Sequence, residues 1–166
     1  MTAPLTRSDA EDLLYREAWL LDGGEWDKWI DLFLPDVVFW VPAWRDETTP
    51  TSDPDCELSL VYYKGRKNLE DRINRVRSGA SIASTPLPRF VHAVTNVVVT
   101  EAGASEARVG ASFTVHRYDV RAERTDVFFG RYEYGLRNVG GQWRIAEKKI
   151  FLLNDVIPTV LDFFSI

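Results

Sequence analysis

Residues 90–153 decide the fold, and they read FVHAVTNVVVTEAGASEARVGASFTVHRYDVRAERTDVFFGRYEYGLRNVGGQWRIAEKKIFLL. The segment contains four runs rich in β-branched and aromatic residues, at residues 90–100, 107–118, 126–137 and 142–153. The short connections EAGAS, RAER and NVGG separate these runs. Apolar residues that alternate with polar ones are typical of strands with one buried face, and short polar connections favour hairpins. Four long strands in succession therefore predict an antiparallel meander.

The alternation also predicts which face of the sheet is buried. In the second strand the apolar residues from Val109 to Val115 occupy every other position, so they share one face. In the last strand the apolar positions change from odd-numbered Ile145 to even-numbered Ile150. Such a change of phase predicts a β-bulge, or a face whose role changes along the strand.

Two helices are predicted before the first strand. Ser8 followed by Glu11 has the spacing of a capping box, which predicts a helix over residues 8–22. After Gly23 and Gly24, residues 26–33 repeat a helical apolar spacing until Pro35 prevents continuation. The apolar face of the first helix is predicted to contain Leu14, Ala18 and Leu21.

Two further strands and a third helix complete the prediction. Residues 36–41 and 57–63 are short apolar and aromatic runs, which favour strands. Residues 45–55, rich in Pro, Asp, Ser and Thr, predict an exposed loop. A helix is predicted to follow the second strand, with Asn68 as its N-cap and Gly79 as its end.

Helices followed by a sheet indicate an α+β domain in which the N-terminal helices cover one face of a curved antiparallel sheet and the other face is left concave. Residues 1–166 are expected to form this single domain, because the length and the 45% hydrophobic content suit one core. The order of elements resembles the cystatin-like cone fold shared by ketosteroid isomerase, scytalone dehydratase and nuclear transport factor two. That resemblance concerns fold alone.

Composition narrows the classes of function. The net charge of −5 and the pI near 5.1 disfavour binding to nucleic acid or to an anionic membrane surface. We expect a cytoplasmic protein, since the sequence has no apolar run long enough to span a membrane and no secretory signal. The single cysteine, Cys56, excludes an intrachain disulfide.

The inventory of chemically active side chains is small. His92 and His116 are the only histidines, and each is a candidate general base or a hydrogen-bonded strand histidine at a subunit contact. We favour the second interpretation, since no nucleophile stands beside either residue. Iron ligation by both histidines is disfavoured because they lie on separate predicted strands without short-spaced partners.

Carboxylates on the strands allow two interpretations. The pairs Asp126 with Glu133 and Glu147 with Lys149 are candidate acid and base groups of a cone-shaped cavity. We favour interstrand or intersubunit ion pairs, because the charges alternate with apolar residues as strands require.

Basic and apolar side chains supply candidates for a subunit interface. Arginines follow the second strand in a locally basic stretch, and arginine favours interfaces because its planar donors pair with carboxylates. The terminal sequence IPTVLDFFSI, residues 157–166, would expose a large apolar patch unless it packs against a partner or against its own helices. The interface candidates are Arg72, Arg75, Arg89, His92, Phe163 and Phe164.

Four segments carry a family resemblance. They are LLYREAWLLDGGEWDKWIDLFLPDVVFWVPAW at residues 13–44, LEDRINRVRSGASIASTPLPR at residues 69–89, VHAVTNVVV at residues 91–99 and LLNDVIPTVLDFFSI at residues 152–166. Together they resemble the small (beta) subunits of aromatic-ring-hydroxylating dioxygenases, and among these the benzoate, toluate and anthranilate branch. Four such segments in the same order are specific evidence for a resemblance to this family.

The resemblance implies an oxygenase of three large and three small subunits that dihydroxylates an aromatic ring. The expected substrate class is an aromatic carboxylate. In that family the large (alpha) subunit carries a Rieske [2Fe-2S] cluster and a mononuclear Fe(II), and an NADH-dependent reductase supplies electrons to it. The small subunit is implied to support assembly, with no catalytic, cofactor-binding or metal-binding residue of its own. The sequence agrees, since a Rieske centre needs two Cys and two His.

Two other classes of function stay open at this point. The first is a stand-alone isomerase or dehydratase that uses an Asp, His or Tyr in the cone as its acid-base site. The second is a scaffold that binds a small ligand without catalysis. Activity of the purified chain would identify the first, and saturable binding to it would identify the second.

Overall fold

The structure is a computed structural model that describes residues 3–166. Three helices and a six-stranded sheet form an α+β domain, as predicted. The helices are α1 (Arg7–Asp22), α2 (Trp26–Ile30) and α3 (Arg66–Arg77), and short 3-10 turns lie at Ile82–Ser84 and Phe163–Ser165. The strands are β1 (Phe33–Pro42), β2 (Ser59–Lys64), β3 (Arg89–Ala102), β4 (Glu106–Asp119), β5 (Arg124–Val139) and β6 (Gln142–Leu152).

The strand order in the sheet is β2-β1-β6-β5-β4-β3. The predicted meander is confirmed, because β3 to β6 are consecutive neighbours and all of their pairings are antiparallel. The antiparallel arrangement does not extend to β1, which lies parallel to β6. This pairing joins strands that are far apart in sequence, and hairpin signals report only on consecutive strands.

The predicted irregularity in the last strand is a β-bulge. Gly135 pairs with Glu147 and the next residue of β5, Leu136, pairs with Ile145, so Ala146 is the extra residue in β6. Beyond the bulge the even-numbered side chains point inward. This change of phase places Lys148 in the interior of the domain, where it is 2% exposed.

One face of the sheet packs against the helices and forms the core. The predicted apolar face of β4 is confirmed, since its side chains are at most 6% exposed. From α1, Leu14 and Leu21 reach the same core. The remaining apolar contributors include Trp29, Phe39, Leu69, Ile73, Val76, Phe128, Leu136, Ile145, Ile150, Leu152, Phe163 and Phe164.

The N-cap of α1 lies two residues earlier than the predicted Ser8. Thr6 is the N-cap, and its hydroxyl accepts a hydrogen bond from the backbone N–H of Asp9 at 3.1 Å. The Asp9 carboxylate in turn accepts from the Thr6 backbone N–H at 3.0 Å. The predicted capping box of Ser8 and Glu11 is therefore wrong, because the reciprocal pair with the same spacing lies two residues upstream.

Replacement of Thr6 by alanine is expected to lower the free energy of unfolding by about 1 kcal/mol, because it removes the hydroxyl that accepts from the Asp9 backbone N–H and donates to the Asp9 carboxylate. Ser8→Ala is the matched control and should change stability by less than about 0.5 kcal/mol. Urea unfolding of both variants measures the difference. A larger loss in Ser8→Ala than in Thr6→Ala would contradict this assignment of the cap.

Two other predicted boundaries are corrected. Helix α2 ends at Ile30, and Phe33 already belongs to β1. Pro35 is tolerated in this strand because β1 pairs with β6 at Phe33 and again only from Val38, so the proline lies in the unpaired interval. Strand β1 therefore begins before the predicted residue 36.

The N-cap of α3 is Gly65, at φ 99°, instead of the predicted Asn68. The Asn68 amide lies within the first turn and donates to the carbonyl of Lys64 at 2.7 Å. Glycine adopts a positive φ without steric penalty, which allows the chain to pass directly from β2 into the helix. No helix within residues 3–166 is both long and apolar enough to cross a bilayer.

Candidate functional site

The interior of the domain contains a buried ion pair surrounded by aromatic rings. The carboxylate of Glu17, on α1, accepts a hydrogen bond from Lys148 Nζ at 2.7 Å. It also accepts from the hydroxyl of Tyr134 at 2.6 Å and from Trp29 Nε1 at 3.3 Å. Both oxygens of this carboxylate therefore accept hydrogen bonds from side chains of the same chain.

Aromatic rings enclose the ammonium group of this pair. Lys148 Nζ lies 4.3 Å from the ring centroid of Tyr132 and 5.5 Å from that of Tyr134. Burial lowers the pKa of Lys148, and the neighbouring Glu17 carboxylate opposes that shift. Burial, together with the charge of Glu17, raises the pKa of both tyrosines well above the usual value. Neither tyrosine is thus poised to release a proton near neutral pH.

Sequence reasoning missed this cluster. On β6 the sequence suggested Glu147 and Lys149 as the candidate cavity pair, but the bulge at Ala146 turns Lys148 inward and leaves Lys149 against the rings of Trp40 and Phe151. On α1, Glu17 is buried beside the predicted apolar face, whereas Ala18 is only half-buried. The phase change in β6 was the available signal, and counting from it would have selected Lys148.

The ion-pair interpretation of the strand carboxylates is confirmed for Glu147 and Asp126. Glu147 accepts from Arg108 NH1 at 2.7 Å, and this contact crosses β5 above Gly135, which has no side chain to obstruct it. Asp126 lies between Arg117 and Arg124. Each carboxylate is therefore engaged by at least one arginine of the sheet.

Glu133 does not form an acid-base pair with Asp126. Along β5 the buried residues are even-numbered from Phe128 to Tyr134, so Asp126 points to the interior side and Glu133 to the exposed side. Opposite faces of a sheet cannot present two groups to one substrate. The proposed pairing of these two carboxylates is therefore wrong.

The two histidines are also on opposite faces of the sheet. His92 is paired in register with the buried Val115, whereas His116 is paired with the exposed Val91. His92 Nδ1 lies 2.6 Å from Asp22 Oδ1, and its backbone N–H donates to Asp22 Oδ2 at 2.9 Å. The two imidazoles cannot ligate one metal ion, and His92 connects β3 to the end of α1 within the chain.

Other potential metal ligands in the chain are not grouped. Among residues 3–166, no three His, Cys, Asp or Glu side chains are placed to hold a metal ion together. Cys56 is exposed, and the neighbouring Asp53 raises the pKa of its thiol, which disfavours the thiolate that metals bind. These residues do not fit a Rieske cluster or a mononuclear iron.

Arg72, a predicted interface residue, instead joins α3 to the C-terminal tail. Its Nε donates to Asp162 Oδ1 at 3.0 Å, and its NH2 contacts the other carboxylate oxygen. The hydrogen bond to Asp162 raises the pKa of Arg72. Asp162 also accepts from the backbone N–H of Phe163 at 2.9 Å, so the pair fixes the start of the terminal turn.

Phe163 and Phe164 pack in the chain's own core, so their assignment to a partner surface is corrected. Both are 2% exposed. The Phe163 ring lies 5.3 Å from that of Trp29, and the Phe164 ring lies 5.5 Å from that of Phe90. The alternative interpretation, in which the tail folds back on its own helices, is therefore correct for these two residues. Burial of both rings stabilises the isolated chain.

Of the six predicted interface residues, Arg75 and Arg89 remain on the surface. Both are exposed, and Arg89 lies 6.0 Å from the ring of Tyr118. His92 and the two terminal phenylalanines are buried within the chain, and Arg72 is partly exposed beside Asp162.

Comparison with known proteins gives first the fold and then the family. A solved structure from Novosphingobium aromaticivorans DSM 12444, provisionally described as a scytalone dehydratase, matches with a TM-score of 0.66 and 14% identity over 87% of this chain and 82% of that one. This likeness confirms the cone fold. At 14% identity, the likeness gives no information about function.

The family model described as "Ring hydroxylating beta subunit" matches residues 16–159. The 2-halobenzoate 1,2-dioxygenase small subunit of Burkholderia cepacia is 39% identical over 95% of this chain and 94% of its own length. The beta subunit of benzoate 1,2-dioxygenase from Burkholderia mallei ATCC 23344 has a TM-score of 0.79 and 31% identity, covering 96% of each chain. The chain therefore belongs to the beta subunit family of aromatic-ring-hydroxylating dioxygenases, as its motifs predicted.

Proposed function

We propose that this chain is the noncatalytic small subunit of a dioxygenase and that it positions the large catalytic subunits. The observation that carries the proposal is that the chemically capable side chains of the cone are already bound to one another. Both oxygens of Glu17 are engaged, by Lys148, Tyr134 and Trp29, and the two histidines face opposite sides of the sheet. A beta subunit whose interior side chains are bound to one another in this way would contribute to its enzyme through surface contacts with other subunits.

The same contacts argue against a stand-alone isomerase or dehydratase. A general base must reach the proton of a bound substrate. The Glu17 carboxylate is instead enclosed by its own hydrogen-bond donors, and the tyrosines beside it have raised pKa values. A substrate would have to displace side chains that hold the core together.

The surface supplies candidates for contact with the large subunit. Trp19 on α1 is 77% exposed, and tryptophan and arginine are enriched among residues that dominate binding energies. Arg75 and Arg89 are exposed cations near the ends of α3 and β3. We assign these three residues to the subunit interface.

The proposed assembly contains three large and three small subunits and resides in the cytoplasm. Its large subunit would hold the Rieske cluster and the mononuclear iron, and an NADH-dependent reductase would supply electrons. The similarity to a 2-halobenzoate and a benzoate dioxygenase subunit supports an aromatic carboxylate as substrate class. The small subunit would fix the distance between neighbouring large subunits.

Coexpression with the large subunit tests the proposed assembly. The wild-type chain should copurify with it, and sedimentation should give the mass of a hexamer. Reversal of charge in Arg75→Glu or Arg89→Glu is expected to weaken association by about tenfold or more, because a carboxylate would then face the partner's acceptors.

Arg7→Glu is the matched control, since Arg7 is exposed in the first turn of α1, at the opposite end of that helix from Trp19 and from Asp22, which contacts β3 near Arg89. It should leave the hexamer intact. Full assembly of both Arg75→Glu and Arg89→Glu would remove these residues from the interface, and failure of the wild-type chain to copurify would contradict the proposed function.

A further inference from the structure

Three strands and a helix enclose the ammonium group of Lys148 on the inner side of the sheet. Lys148 on β6 pairs in register with Phe39 on β1 and with Tyr134 on β5, so these residues are its direct neighbours on either side. Tyr132 lies two residues away on the same face of β5, and Glu17 approaches from α1. The centroids of the three rings lie 4.3 Å (Tyr132), 5.5 Å (Tyr134) and 5.9 Å (Phe39) from Lys148 Nζ. One carboxylate and three aromatic rings thus surround a single cation.

This combination of groups is suited to the recognition of an alkylammonium ion. An aromatic ring face attracts a cation within about 6 Å of its centroid, and the attraction grows when water is excluded. A carboxylate adds a charge-assisted hydrogen bond if the cation carries an N–H group. Lys148 Nζ donates such a bond to Glu17 Oε1 at 2.7 Å. The carboxylate therefore favours a primary ammonium over a quaternary one, which has no N–H to donate.

The groups around the ammonium are held in place by contacts that do not involve Lys148. The Glu17 carboxylate also accepts a hydrogen bond from the Tyr134 hydroxyl at 2.6 Å. The Tyr132 ring stacks on that of Phe113, with 4.2 Å between the ring centroids. Truncation of the lysine side chain leaves the partners in these contacts intact, so the surrounding groups form a preorganised site.

The charge of this site is balanced only while a cation occupies it. Burial and the charge of Glu17 raise the pKa of both tyrosines, which keeps them neutral near pH 7. The Glu17 side chain is 3% exposed, and a buried carboxylate without a counter-ion is strongly unfavourable. Loss of the Lys148 ammonium therefore favours the binding of another cation.

We propose that the interior of the cone is a binding site for a primary alkylammonium group and that the Lys148 side chain is its built-in ligand. Because the lysine is tethered, its effective concentration is high, and it occupies the site in the wild-type chain. Lys148→Ala removes the atoms that correspond to an n-propylammonium ion. The truncated chain should therefore bind that ion from solution.

Urea unfolding of Lys148→Ala, followed by tryptophan fluorescence, tests the proposal. n-Propylammonium chloride should raise the folding equilibrium constant about tenfold when its concentration is about ten times the dissociation constant. Propan-1-ol, which has the same chain length without the charge, and sodium chloride at equal ionic strength should not do so. The wild-type chain should respond equally to the two salts. An equal response of Lys148→Ala to the two salts would overturn the proposal.

Glu17→Gln in the Lys148→Ala background is the matched variant, because it removes the carboxylate and keeps the size of the side chain. It should not distinguish n-propylammonium from propan-1-ol, and an undiminished preference for the ammonium would overturn the proposal. Each chain is refolded from urea in the presence of the additive, so the ion need not enter a closed core. Folding of Lys148→Ala with n-propylammonium alone would support the proposal, and failure to fold with every additive would overturn it.

Proton NMR of the added ion provides a second readout. Ring currents should shift the methylene protons of n-propylammonium upfield in the presence of folded Lys148→Ala and not in the presence of the wild-type chain. The absence of this shift would overturn the proposal. These measurements use the small subunit alone, so their failure would leave the proposed function and its assembly experiment unaffected.

Discussion

Glu17→Leu is expected to lower the free energy of unfolding of the isolated chain by about 3–5 kcal/mol, because it leaves the Lys148 ammonium without its counter-ion in the interior. It also removes the acceptor for the Tyr134 hydroxyl and Trp29 Nε1. Unfolding in urea, followed by tryptophan fluorescence, measures the loss. The large value follows from desolvation, since Glu17 and Lys148 side chains are 3% and 2% exposed.

A double variant separates the effect of the charge from that of the changed shape. Glu17→Leu combined with Lys148→Met removes both charges and should recover most of the lost stability, as apolar replacement of buried ion pairs often does. The exposed pair provides the control, and Glu147→Gln should cost only about 0–1 kcal/mol. A loss below about 1 kcal/mol in the single variant would contradict the buried pair.

Phe163→Ala is expected to destabilise the isolated chain by about 3–5 kcal/mol, because it creates a cavity among packed aromatic rings. The ring of Phe163 contacts those of Trp26 and Trp29 at centroid distances of 5.3 Å. Thermal and urea unfolding of the chain without its partner measure this loss. The outcome distinguishes a tail that belongs to the core from one that only meets another subunit.

Val160→Ala in the same tail is the control for Phe163→Ala. Val160 is 59% exposed and should contribute less than about 0.5 kcal/mol to the stability of the chain. Equal stability of the wild-type chain and Phe163→Ala would show that the tail does not pack as described and would restore its assignment to the interface.

Local pattern predicted most of the strands and helices, because burial on one face leaves a period in the sequence. The phase change in β6 correctly predicted a bulge in that strand, and counting back from Ile150 would have placed Lys148 on the inner face. The pairing of β1 with β6 could not be predicted, since it depends on the whole chain and leaves no local signal. The start of α1 was missed because two segments with capping spacing overlap there.

The candidate site was predicted less well, for a physical reason. A charged residue in a helix or strand is expected to be exposed to solvent, whereas Glu17 and Lys148 are buried because they neutralise each other between α1 and the sheet. Likewise, Arg72 and the terminal phenylalanines have the composition of an interface. Only the folded chain shows that Arg72 pairs with Asp162 and that the phenylalanines pack against the aromatic rings of α2.

Iron and turnover measurements on separately purified and recombined subunits test most directly whether this chain acts as a scaffold. We expect the small subunit alone to contain no stoichiometric iron and to oxidise no aromatic carboxylate when reductase, NADH and O2 are supplied. The complex with the large subunit should contain iron and hydroxylate the ring. Stoichiometric iron in the solitary chain, or turnover by it, would contradict the account.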